Sequence, residues 1–140
     1  GHIGLTPQTV SKLGGFKIQG KGEAAKDVLE DALALQEAGA FSIVLECVPE
    51  QLGKLITEKL SIPTIGIGAG RYTDGQVIVF HDMMGLFEKF VPKFVKQYRN
   101  LGPEIIKAME EYKSDVKIGA FPEEKHVFGG VTEEELKRLY

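Results

Sequence analysis

Only one cysteine, Cys47, occurs in the 140 residues, so no intrachain disulfide can form. That fits a reducing compartment, and the cytoplasm is the expected location. Neither sign of charge dominates: the net charge is −3 and the pI near 5.7. Such a balance carries no footprint for nucleic acid or an anionic membrane surface. No apolar run approaches the roughly 20 residues of a membrane span. The opening GHIGLTPQ has neither the basic nor the apolar region of a signal peptide. Zinc-type Cys/His spacing is missing, as are a P-loop and a GxSxG elbow. No internal repeat, low-complexity tract or dividing linker is present.

What remains is the composition of a soluble globular domain, 43% hydrophobic and 26% charged. The length suits about one domain. Phe41–Pro49, FSIVLECVP, is the informative stretch. Phe41, Ile43, Val44 and Leu45 suit a strand buried on both faces. Gly39 before it suits a helix stop, and Pro49 after it suits the first turn of a new helix. Glu46 is thus expected at the carboxyl end of a parallel strand, where α/β folds place their ligands. Charged residues at strand ends also commonly just face water or pair with a cation.

The other elements fall around this strand. Thr6-Pro7 reads as a helix entry, with Val10 and Leu13 on one face before Gly14-Gly15. Phe16–Ile18 suits a short extended piece. The spacing of Ala25, Val28, Leu29, Ala32, Leu35 and Leu33 predicts a helix over Glu23–Ala38. A second helix is expected from Pro49 to Leu60, with Leu52, Leu55 and Ile56 inward. A strand follows at Thr64–Ile67 and another at Gln76–Phe80. Helices are predicted at Phe87–Tyr98 and Pro103–Val116, and Thr132-x-x-Glu135 is a capping box for a last short helix. Alternating helix and strand with short links predicts parallel pairing through right-handed crossovers. A (β/α)8 barrel typically needs about 250 residues, and this chain is a little over half of that. Gly1–Gln8 reads as a loop with no element before it, so an element is expected upstream.

Gly66-Ile67-Gly68-Ala69-Gly70 is GxGxG, not the GxGxxG of a dinucleotide site, and a turn follows rather than a helix. Its glycines either let the chain turn tightly or bring bare N–H groups to a ligand. His2, between glycines, is an ordinary hydrogen-bonded residue or a group at a strand end. His81-Asp82 stays open between site groups and a locally capped histidine. His126 suits a solvated loop. Asp74-Gly75 suits a turn better than a magnesium site, so no metal ligand is assigned within the chain.

GHIGLTPQ, GGFKIQG (14–20), LECVP (45–49), IPTIGIGAG (62–70), DGQV (74–77) and His81-Asp82 together resemble ketopantoate hydroxymethyltransferase. The likeness runs from Gly1 to about residue 128, with 129–140 as a C-terminal extension. The resemblance implies an α/β (β/α)8 TIM barrel, of which this chain covers roughly the C-terminal half plus C-terminal helices. It implies a homodecamer, with no nucleic-acid or membrane partner. The implied enzyme transfers a hydroxymethyl group from 5,10-methylenetetrahydrofolate to 3-methyl-2-oxobutanoate, giving 2-dehydropantoate for pantothenate synthesis. It also implies Mg²⁺ on the keto acid, with ligands in the absent N-terminal half. Glu46 matches the catalytic base, and His2 the histidine near the bound keto acid. Gly68 and Gly70 are the substrate-binding candidates of the glycine loop. Chemically, a Glu desolvated by walls such as Ile43 and Val48 gains basicity toward the C3 proton. Such a base needs no protein partner, only a dry pocket. The alternatives are an inactive half-barrel fragment that needs its N-terminal half, or another TIM-barrel keto-acid lyase or transferase.

Overall fold

The computed structural model describes residues 1–87 and 89–140. They form two compact units, Gly1–Arg99 and Asn100–Tyr140.

The first unit is built on a four-stranded parallel sheet, β1 (His2–Gly4), β2 (Ile43–Glu46), β3 (Thr64–Ile67) and β4 (Gly75–Gln76), in spatial order 1-2-3-4. Helix α1 (Ala24–Glu37) links β1 to β2, and α2 (Glu50–Lys59) links β2 to β3. Strand residues alternate strictly in burial. Ile3, Ile43 and Leu45 form one core with Ala32 of α1 and with Leu52 and Ile56 of α2. Both helices therefore cover the same face of the sheet. Val44, Glu46, Ile65 and Ile67 point to the other face and are only half-buried. Phe41–Pro49 is thus buried on one face, not two, and its paired part is four residues long.

Helix ends follow the local chemistry. After α1, Gly39 takes φ +93° while Ala40 N–H donates to Leu35 and Gly39 N–H to Gln36, a Schellman closure. Pro49 is the N-cap of α2, with Glu50 in the first turn and Lys59 in the last, as the helix dipole favours. Leu33 and Leu55, expected inward, lie on outer faces at 41% and 38% exposure. Gly53 lets α2 approach the loop after β3: a Cβ there would lie 2.5 Å from the Ala69 carbonyl oxygen.

A polar bridge, buried at Thr64, joins α2, β3 and the turn before β4. Thr57 Oγ1 lies 2.8 Å from Thr64 Oγ1, and Thr64 donates both its N–H and its hydroxyl to Asp74 Oδ2. Thr64 is fully buried, so these bonds satisfy groups that water cannot reach.

Three sequence expectations are corrected here. The strand over Gln76–Phe80 shrinks to Gly75–Gln76, and Phe80–Met83 is a helical turn, α3. Val77 and Val79 are β-formers, but β4 pairs only with β3 among the described residues, so no second ladder extends it. The helix expected over Phe87–Tyr98 is not formed by its described residues, and residue 88 within it lies outside them. Pro92 lacks an N–H and biases Val91 away from helix. The helix expected after Thr6 is only a 3₁₀ turn, Pro7–Thr9, followed by Gly14 and Gly15 at positive φ.

The second unit holds α4 (Gly102–Ile118), entered through Pro103 and closed by Gly119 at φ +73°, and α5 (Glu133–Lys137). Thr132 and Glu135 form the expected capping box of α5. His126 is exposed; its Nδ1 accepts from Glu123 N–H, and its ring packs on Phe121 at 5.2 Å. No helix among the described residues is long and apolar enough to cross a membrane.

Candidate functional site

Glu46 is the last residue of β2, on the sheet face away from the helices. Backbone bonds hold it from both sides. Leu5 N–H donates to the Glu46 carbonyl at 2.8 Å, and Cys47 N–H donates to Ile67 at 2.9 Å. The register sets Gly4 beside it in β1 and Ile67 beside it in β3. Ile43, expected as a wall of the Glu46 pocket, lies three residues back and faces the helices instead. Val48, the other expected wall, is buried beneath Gly4.

His2 sits within β1, in register with Val44, on the same face as Glu46. Its Nε2 lies 2.9 Å from Glu46 Oε2, with the two side chains 37% and 15% exposed. Glu46 thus has a hydrogen-bond partner within the protein, where the sequence pointed to none. The sequence placed Glu46 at a strand end but read Gly1–Gln8 as a loop and left His2 open; β1 forms within that stretch, and its register brings the two residues together.

Gly4 is the residue that sequence reasoning missed. It takes φ +84°, and a Cβ would lie 2.2 Å from the Glu46 carbonyl oxygen and 2.7 Å from Val48 Cγ1. Only glycine fits both demands. The flanking pattern Gly-His-Ile-Gly was the available signal.

Cys47 follows at φ +50°, the one non-glycine residue at positive φ among those described. Such strain is unusual and clusters beside functional residues. Burial first, and the Glu46 charge second, push the Cys47 thiol above its ordinary range. It is held as a thiol, a poor nucleophile.

The glycine loop after β3 lies against α2 and the 90s segment. Gly68 has φ +65°, and a Cβ there would lie 2.7 Å from Phe94 Cδ1. Gly70 has φ +83° and packs against Glu50, whose Oε1 takes Arg71 Nε at 2.7 Å. The Arg71 hydrogen bond holds the Glu50 carboxyl below its usual range. Among the described residues, the N–H groups of Gly68, Ala69 and Gly70 have no acceptor in the protein. The loop is tightly turned at Gly68 and Gly70, as the tight-turn reading of its glycines expects.

His81 and Asp82 lie in α3, and neither side chain makes a hydrogen bond within the protein among the described residues. Asp74 is committed to Thr64, which lowers its carboxyl below the ordinary range, chiefly through the Thr64 N–H. Among the described residues no three His, Cys, Asp or Glu side chains converge as a metal site would require.

The arrangement is a half-buried carboxylate at a strand end, bonded to an imidazole, with the glycine loop following the neighbouring strand. Comparison with known proteins gives it a context. The family model described as ketopantoate hydroxymethyltransferase matches residues 1–124. The 3-methyl-2-oxobutanoate hydroxymethyltransferase of Clostridium beijerinckii is 59% identical over all of this chain and 51% of its own length. Proteins of the same name from Heliobacterium modesticaldum and Syntrophomonas wolfei are 60% and 57% identical, again over all of this chain, covering 50% and 51% of their own lengths. The chain spans about half the length of the curated relatives it matches.

Proposed function

The chain belongs to the ketopantoate hydroxymethyltransferase family, and on that premise we propose that it supplies the C-terminal half of a (β/α)8 barrel enzyme. The sequential strand order, with both helices on one face, supports a barrel sector over a doubly wound sheet. The half-buried face carrying Val44, Glu46, Ile65 and Ile67 is then the barrel interior. Edge strands β1 and β4 are the seams for the complementary half.

The reaction joins 3-methyl-2-oxobutanoate, 5,10-methylenetetrahydrofolate and one water, giving 2-dehydropantoate and tetrahydrofolate. Glu46 is the general base that takes the C3 proton of the keto acid. The observation that carries this is its place: the end of β2, inner face, 15% exposed. A carboxylate at a strand end is placed to reach a proton of a substrate bound at the barrel mouth. The N–H groups of Gly68 and Gly70, without an acceptor among the described residues, suit an anionic group such as the keto-acid carboxylate. The described residues do not form a cage for the implied Mg²⁺, since Asp74 is spent on Thr64 and no acidic cluster forms. Its ligands are assigned to the N-terminal half.

The test is a transfer assay on this chain combined with that half. Turnover that requires both halves and methylenetetrahydrofolate supports the proposal. Turnover without the folate points to another keto-acid lyase or transferase. The chain alone is expected to be inactive and to show no tight binding in calorimetric titration with MgCl₂. Tight magnesium binding by the chain alone would contradict the placement of the ligands.

A further inference from the structure

Resting on the reading of Glu46 as the base, we infer that His2 is a positioning residue that acts through Glu46, not a substrate ligand through its Nε2. The Nε2 to Oε2 distance of 2.9 Å is that of a hydrogen bond. An ionised carboxylate only accepts, so the imidazole must donate, and its proton sits on Nε2. That nitrogen is then unavailable to the keto acid. Glu46 Oε2 is occupied in turn, while Oε1 accepts no hydrogen bond among the described residues. One oxygen is tethered and the other is free for the C3 proton.

The tether has a rigid base. His2 belongs to β1, whose register to β2 is fixed over three residue pairs. Gly4, in register with Glu46, lets the two strands close up, since a Cβ there would lie 2.2 Å from the Glu46 carbonyl oxygen. A Glu side chain has several rotatable bonds and samples many rotamers unless something fixes it. The His2 bond selects one and leaves Oε1 untethered. When Glu46 takes the C3 proton on Oε1, the C–H bond breaks, its electron pair stays on the enolate, and Nε2–H still donates to Oε2. His2 therefore gains and loses no proton in this step.

The experiment uses the assembled barrel and follows solvent-deuterium exchange at C3 of 3-methyl-2-oxobutanoate without folate, alongside equilibrium binding of the keto acid. His2 is half-exposed, so His2→Ala leaves the core intact. A misplacement of about 1 Å can cost about 100-fold in rate. His2→Ala is expected to slow saturated exchange by up to that factor, with keto-acid affinity unchanged. His2→Gln, which keeps an N–H donor, is expected to recover about tenfold of the loss. Exchange at the wild-type rate in His2→Ala overturns the inference. So does a defect that appears only as weaker keto-acid binding, or a Gln variant no faster than the Ala variant. Glu46→Gln separates the two levels. If it exchanges like wild type, the base assignment fails. If it is slow while His2→Ala is fast, only the positioning role fails.

Discussion

Replacing Gly4 with alanine tests how the strand end is built, because a single Cβ meets two separate obstacles. The residue holds φ +84°, and an L-residue pays about 1–2 kcal/mol for left-handed backbone. The Cβ would also lie 2.2 Å from the Glu46 carbonyl oxygen and 2.7 Å from Val48 Cγ1. The first neighbour is backbone and the second is a buried side chain, so neither swings away freely. Overpacking of this kind typically costs about 1–3 kcal/mol. Together the two give a loss of about 2–5 kcal/mol, a large part of a domain's usual stability. The carbonyl must retreat by about 1 Å to reach ordinary van der Waals contact, which stretches the Leu5 bond to it. That displacement carries Glu46 with it, so the exchange rate at C3 is expected to fall as well, by as much as about 100-fold. Urea unfolding of the assembled barrel measures the first effect and deuterium exchange the second. An alanine variant with the wild-type urea midpoint and exchange rate would refute the reasoning.

The remaining predictions concern the loops beside the site. Gly68→Val puts a β-branched residue at φ +65° against the Phe94 ring and is expected to cost about 2–4 kcal/mol, read as a lowered Tm. An unchanged Tm would remove any special role for that glycine. Asp74 has a depressed carboxyl pKa in the folded state, so its contribution is present above the ordinary carboxylate range and is lost as pH falls through the depressed value. Asp74→Asn is therefore expected to weaken the protein at neutral pH and to flatten the acid limb of its stability profile. An acid limb identical to wild type would show that the Thr64 clamp contributes nothing.

Much of this fold was legible because period and punctuation agreed. Thr64–Ile67 was read to the residue, and α1, α2 and α4 to within a residue or two. Gly or Pro marks at least one end of each helix: Gly39 at positive φ follows α1, Pro49 caps α2, and α4 is entered through Pro103 and closed by Gly119. The Thr132 capping box was readable because its chemistry is local to four residues. The failures have different causes. Gln76–Phe80 has suitable side chains but its pairing depends on strands beyond it, whereas Phe87–Tyr98 contains Pro92, a local breaker that its apolar spacing masked. The site divides in the same way. Placing Glu46 at a strand end needed only the Gly39 and Pro49 boundaries. The His2 bond needed the pairing of His2 with Val44 across more than forty residues, and nothing local encodes it. Gly4 is intermediate: a glycine two after His2 was visible, but the carbonyl it must clear was not.

The central claim is that Glu46 removes the C3 proton. Glu46→Gln in the assembled barrel keeps the side chain's size and its reach to His2 while removing its basicity. General bases contribute about 10² to 10⁴ fold, so exchange of the C3 proton of 3-methyl-2-oxobutanoate with D₂O, measured without folate, is expected to slow by that range. Exchange by the Gln variant at the wild-type rate would contradict the account and place the base elsewhere.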